Sequence, residues 1–157
     1  MTHVLPPPDD RFFEDYRVGA TYEFGTIAVE EDEVIAFARR YDPQPFHVDA
    51  VAARGSSFGG LIASGWHTAS LMMRLYVEHY LSPASSLVSP GLDELRWLKP
   101  VRPGDTLAVR VTVLEANRSR SRPDRGVVRS FVEVLNQHGE AVLSVKALNL
   151  VRCRAGV

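Results

Sequence analysis

The sequence predicts an α+β fold: a curved antiparallel sheet of about five strands packed over one long buried helix. Three observations carry that expectation. The segment 66–81, "WHTASLMMRLYVEHYL", is apolar nearly all round, leaving only a narrow polar stripe of His67, Ser70, Arg74 and Glu78, so such a helix is expected to be buried on most sides. The second half of the chain contains four strand-like runs, at 92–98, 106–115, 127–136 and 141–151. In the second of these, Leu107, Val109, Val111 and Val113 alternate with Ala108, Arg110 and Thr112, the pattern of a strand with one buried face.

Taken in order, the chain begins with a proline-rich stretch, Pro6-Pro7-Pro8, which favours an extended terminal arm over residues 1–11. "TYEFGTIA" (21–28) carries aromatic and β-branched residues and reads as a first strand. Glu31, Asp32 and Glu33 then sit where a helix N-terminus favours negative charge, and Val34, Phe37, Ala38 and Tyr41 follow at helical spacing. This helix should stop at the Asp42-Pro43 junction, because the residue before proline is pushed out of the helical region. After the long helix, turns fall at Pro103-Gly104-Asp105 and Gln137-His138-Gly139. No internal repeat or linker divides residues 12–152, so one domain is expected there, followed by a short tail at 153–157.

The composition narrows the function classes. Of the 157 residues, 45% are hydrophobic and 24% charged, with a formal net charge of −1; this is an ordinary globular balance with no general pull toward nucleic acid or a membrane surface. No apolar run reaches the roughly 18 residues of a membrane span, and no charged and apolar leader opens the chain. Cys153 is the only cysteine, which rules out an internal disulfide and makes a reducing cytoplasm the easier location. No cluster of residues has metal-ligand spacing.

Two segments carry chemistry. In "YDPQPFHVDA" (41–50), prolines at 43 and 45 separate Asp42 from His47. Both prolines disfavour helix and central strand, so an irregular turn is expected. A bent backbone is what lets residues five apart converge on one point. Taken singly, Asp42 reads as a turn opener and His47 as a partly buried histidine satisfied by backbone. If they converge, a carboxylate and an imidazole can share one water, one group taking its proton while the other orients it or returns a proton elsewhere. The second segment is "FGGLIASGWHTAS" (58–70), where Ser64-Gly65 leads into the long helix. Two readings stand side by side: an ordinary N-cap by Ser64, or free first-turn N–H groups at Gly65 that stabilise a developing oxyanion.

Together these segments resemble the MaoC-like dehydratases, the family of (R)-specific enoyl-CoA hydratases with the hot-dog fold. The resemblance spans about residues 12–152 and rests on Asp42-Pro43-Gln44-Pro45-Phe46-His47 joined to Ile62-Ala63-Ser64-Gly65. It implies that Asp42 and His47 activate water for syn addition to a trans-2-enoyl thioester, and that the Gly65 N–H holds the thioester oxygen. Gln44, Ser64 and Trp66 are then candidate substrate-binding residues. They differ from the Asn, His and Met that many members carry there, and Met73 stands where some have serine. The resemblance further implies an acyl-CoA substrate with coenzyme A as its carrier, no separate cofactor, and a homodimer or higher homo-oligomer. The alternatives are a hot-dog acyl-CoA thioesterase and a non-catalytic acyl-CoA or acyl-carrier binding protein.

Other features have plainer readings. Arg118, Arg120, Arg122, Arg125 and Arg129 are expected to form a solvated hairpin rather than a cradle for coenzyme A phosphates. His67 and His79 are expected in packing or surface roles on the helix, and His138 in a turn.

Overall fold

The computed structural model describes residues 4–155. The ends of the expected arm and tail, at 1–3 and 156–157, lie outside the described residues. Short 3-10 turns at Pro8–Asp10 and Phe13–Asp15 precede strand β1, Thr21–Ala28. Helices α1 (Glu31–Tyr41), α2 (Pro45–Val48), α3 (Ala50–Arg54) and α4 (Gly65–His79) follow, and then strands β2 (Gly91–Trp97), β3 (Thr106–Arg118), β4 (Arg125–Leu135) and β5 (Ala141–Arg152). All five strands form one antiparallel sheet in the order β1-β3-β4-β5-β2, the curved open sheet that the hot-dog resemblance implies.

The alternation in β3 does what period-two patterning requires. Leu107, Val109 and Val111 are fully buried, facing the same core as Val128, Val132 and Val134 of β4 and Val145 of β5. Side chains of α4 close this core from the other side: Leu71, Met72, Leu75 and Tyr76 are buried against it. Two buried hydroxyls tie the helix end to the sheet, where Tyr80 Oη meets Ser130 Oγ at 2.8 Å and Tyr76 Oη donates to Asn149 Oδ1 at 2.7 Å. At Gly25 the backbone has φ +135° beside a register break in the β1–β3 ladder. A side chain there would be strained and would crowd the Ala108 backbone at 3.0 Å. Arg11 is buried, and its guanidinium donates to the carbonyls of Pro6, His79 and Tyr80, which anchors the chain start to the end of α4.

Two expectations need correction. Helix α4 is not covered on most sides: Trp66, Met73 and Val77 are 57%, 45% and 50% exposed. A single five-stranded sheet covers one side of a helix and leaves the opposite apolar stripe open. The segment after Asp42 is not wholly irregular either, since α2 is a one-turn helix that begins at Pro45. Proline breaks a helix only in its interior. At the first position its fixed φ suits the helix and its missing N–H costs nothing, because that donor would be unpaired anyway. Among the described residues, no helix is long and apolar enough to cross a membrane.

Candidate active site

Three loops meet beside the start of α4. Helix α1 ends as expected, with the Asp42 N–H closing on the Ala38 carbonyl at 2.8 Å and Asp42 itself in a non-helical conformation (φ −154°, ψ 66°). Gln44 is extended, and its carbonyl accepts the His47 N–H at 2.9 Å within the turn that α2 makes. The incoming loop to α4 is pinned on both sides, Ile62 N–H to the Phe46 carbonyl at 3.2 Å and Ala63 N–H to the Val101 carbonyl at 2.7 Å. Backbone bonds thus set the distance between the Asp42–His47 turn and the head of α4.

Asp42 and His47 do converge. His47 Nε2 lies 3.3 Å from Asp42 Oδ2, with the histidine side chain 6% exposed and the aspartate 19%. The other ring nitrogen, Nδ1, lies 2.7 Å from the Ile62 carbonyl. A carbonyl only accepts, so Nδ1 carries a hydrogen, and in the neutral imidazole Nε2 must then be the bare nitrogen. Two acceptors, Nε2 and Oδ2, therefore face one spot. A water there can donate one hydrogen to each, which turns its lone pairs outward to the cavity.

Asp42 is held as a carboxylate. Partial burial works against its charge, but hydrogen bonds from Gln44 Nε2 to Oδ1 and from Ser64 Oγ to Oδ2, both 2.7 Å, aided by the charge of His47 whenever its ring is protonated, hold its carboxyl below the usual carboxylate range. Ser64 takes its expected role as a cap and one more, but it is fully buried and outside the cavity lining, so it does not meet a substrate as a binding residue. Its Oγ caps α4 by accepting from the Trp66 N–H at 3.3 Å while donating to Asp42. It is fully buried and bonded to the carboxylate rather than the imidazole, so it lacks the arrangement of an activated serine nucleophile.

The cavity in front of these groups measures about 400 Å³ and is lined by Asp42, His47, Gly65, Trp66, Trp97 and Lys99 among others. The Gly65 N–H belongs to the first turn of a 15-residue helix, where it has no partner within the helix and the dipole favours negative charge. Absence of a side chain at residue 65 is required here. A Cβ would stand 2.5 Å from the Trp97 indole, which lies across the helix start. Trp97 also packs edge-on to Trp66, ring centroids 5.1 Å apart, and it was not among the residues expected at the site. Nothing local in "LDELRWL" marks it. The tryptophan reaches Gly65 only because β2 pairs on β5 at the sheet edge.

The remaining polar residues fall elsewhere. His67 is buried on the α1 side of α4, 3.4 Å from Glu33 Oε1 and stacked on Phe37 at 4.8 Å. The arginine-rich hairpin lies at the far end of the sheet. Arg118 pairs across to Gly126 and Val151, whereas Trp97 aligns with Leu143, Val134 and Val109. Nine residues of strand, about 30 Å, separate the two levels, so within one chain Arg118 and the hairpin tip are remote from the cavity. Arg125 pairs with Asp124 there, while Arg129, farther along β4, reaches Asp93 on β2.

Comparison with known proteins agrees with this geometry. The family model described as "MaoC like domain" matches residues 14–134. The chain is 30% identical over 143 residues to the 3-hydroxybutyryl-CoA dehydratase of Methylorubrum extorquens, covering 90% of this chain and 88% of that protein. It is 36% identical over 148 residues to the mesaconyl-CoA hydratase of Cereibacter sphaeroides, covering 92% of this chain but 42% of that longer protein. Among solved structures it resembles the MaoC-like dehydratase from Rhodospirillum rubrum, with a TM-score of 0.84 and 46% identity over 91% of this chain and 97% of that one. It also resembles the R-hydratase PhaJ1 from Pseudomonas aeruginosa, with a TM-score of 0.70 and 27% identity over 91% and 86% of the two chains. On its fold, its matched family model and its relatives, the chain belongs to the MaoC-like dehydratase family.

Proposed function

We propose that this protein is a hydro-lyase that reversibly adds water, in syn fashion, to a trans-2-enoyl-CoA to form an (R)-3-hydroxyacyl-CoA. The observation that carries this reading is the pair of acceptors, His47 Nε2 and Asp42 Oδ2, 3.3 Å apart at the wall of a cavity that also contains Gly65 at the head of α4. Water held between the pair attacks C3 of the enoyl group. One member of the pair takes the proton released, and that proton is returned to C2 on the same face. Negative charge that builds on the thioester oxygen meanwhile is stabilised by the Gly65 N–H and the helix dipole. Gln44 and Ser64 keep Asp42 charged and oriented, and Trp66 and Trp97 shape the cavity mouth. Coenzyme A enters as part of the substrate, and the scheme uses no further cofactor.

The names of the relatives, 3-hydroxybutyryl-CoA dehydratase and R-hydratase, support the same reaction class. The apolar face that α4 leaves open at Val77 supports a homodimer that packs against it. The single cysteine fits a reducing cytoplasm.

The test follows crotonyl-CoA hydration by wild type, Asp42→Asn and His47→Gln. Each substitution should lower kcat by about 10²–10⁴-fold, the usual contribution of a positioned acid or base. Equal rates from all three proteins would sink the mechanism. Release of free CoA thiol with the double bond intact would assign a thioesterase instead.

A further inference from the structure

A second cavity, of about 290 Å³, runs along α4 on the far side of Trp66, which lines both spaces. Its walls are mostly apolar, from Ala69, Met73, Leu92 and Val132 among others, with polar groups from Ser70, Tyr76, Ser89 and Asn149. Asn149 is only 6% exposed. Tyr76 Oη occupies its Oδ1 at 2.7 Å, Nδ2 makes no hydrogen bond to the described residues, and Asn149 lines the cavity. The two serines that line the space are committed already: Ser70 Oγ donates to the Trp66 carbonyl and Ser89 Oγ to that of Leu148.

A buried amide with an open hydrogen-bonding position in an apolar groove has a selective consequence. Covering it with hydrocarbon alone leaves it unsatisfied, whereas a ligand oxygen completes it. We infer that Asn149 is a specificity residue, and that the groove takes an acyl chain bearing a neutral oxygen function, such as a hydroxyl, beyond the reacting carbons. A hydroxyl both donates and accepts, so it matches the amide in either of its two orientations. A carboxylate is less suited, because among the described residues no cation lines the groove to offset its desolvation. The position on the chain follows from the helix. Gly65 and Tyr76 are 11 residues apart, about 16 Å along the axis, and the Tyr76 side chain leans back toward the N-terminus. The oxygen should therefore lie roughly 10 Å from the thioester carbon. The groove volume corresponds to about ten water-sized groups, which suits a chain of that length. This inference rests on the reading of the Asp42–His47 cavity as the thioester site.

The experiment is calorimetric titration of wild type and Asn149→Leu with nonanoyl-CoA and 8-hydroxyoctanoyl-CoA, which differ only by methyl against hydroxyl at the chain end. Both are saturated, so hydration cannot consume them. The ratio of the two Kd values should favour the hydroxyl by about tenfold more in wild type than in the variant. Equal ratios in the two proteins would overturn the inference. Should Asn149→Leu not fold, wild type alone decides, using hydroxyls at positions 4, 6, 8 and 10 against matched hydrocarbons. A preference peaking at one position supports the assignment and a flat profile overturns it. Wild-type crotonyl-CoA hydration, run alongside, separates the two claims: no turnover with a peaked hydroxyl preference refutes the catalytic reading and upholds the binding one.

Discussion

Replacing Ser64 with alanine removes one oxygen that serves two structures. As a cap, that oxygen accepts from Trp66 N–H at 3.3 Å, a long bond that belongs at the weak end of capping contributions, about 0.5 kcal/mol. As a donor it meets the Asp42 carboxylate at 2.7 Å, and hydrogen bonds to charged groups contribute roughly 1.5–3 kcal/mol. The sum, about 2–3.5 kcal/mol, should lower Tm by roughly 4–14 °C for a chain of this size. The carboxylate bond dominates, so Ser64→Gly, which costs a cap only a few tenths of a kcal/mol, should lose nearly as much. Because Asp42 is held below the usual carboxylate range, its bonds stabilise the fold above that range. Their contribution is lost as pH falls through the depressed value. Loss of the Ser64 donor raises the Asp42 pKa, so both acid unfolding and the acid limb of kcat/KM for crotonyl-CoA should move to higher pH. The measurements are Tm against pH and the pH–rate profile, with Ser64→Thr as the variant that keeps a hydroxyl. If Ser64→Ala loses stability while its acid limb overlays that of wild type, the serine is a cap alone and its coupling to Asp42 is refuted.

Three further outcomes are expected. Gly65→Ala places a methyl 2.5 Å from the Trp97 indole; it should displace that ring, quench or shift its fluorescence, and cut kcat/KM by about 10²-fold through the misplaced oxyanion donor. Leu107→Ala, at a fully buried position, should cost about 2–5 kcal/mol in denaturant unfolding. Asp49→Ala removes the α3 cap, whose Oδ1 accepts from Val51 and Ala52 N–H groups at 2.9 and 3.1 Å. It should cost about 0.5–2 kcal/mol while leaving the kcat for crotonyl-CoA within twofold of wild type.

The parts of this molecule legible in its sequence are those whose signal is local. Residues 21–28 could be recognised as a strand because β-branched and aromatic residues crowd between turn formers, and β1 occupies that span. Strand β3 runs on to Arg118, past the expected end at 115, because a register break between Val113 and Glu115 interrupts the alternation that marks a strand without ending the pairing. Helix α3 is five residues long, too short for a periodic pattern, and Asp49 was its one available signal. At the site, the Asp42–His47 approach was foreseeable from the prolines, although Pro45 achieves it by starting a helix. Trp97 and the carbonyls of Ile62 and Val101 were not foreseeable, since each reaches the site through tertiary pairing and two of the three act through backbone atoms common to every residue.

That last point bears on how the site tolerates change. The His47 tautomer is set by the Ile62 carbonyl, a group that every amino acid carries. Side-chain scanning of residue 62 will register packing effects and remain silent about the proton it positions. What the arrangement does depend on is where the chain runs between Phe46 and Val101. One residue inserted or deleted between Gly55 and Ser64 would shift the carbonyl out of reach of Nδ1 and leave every named functional side chain intact. For this loop, length rather than identity is the quantity that evolution or an engineer must hold fixed.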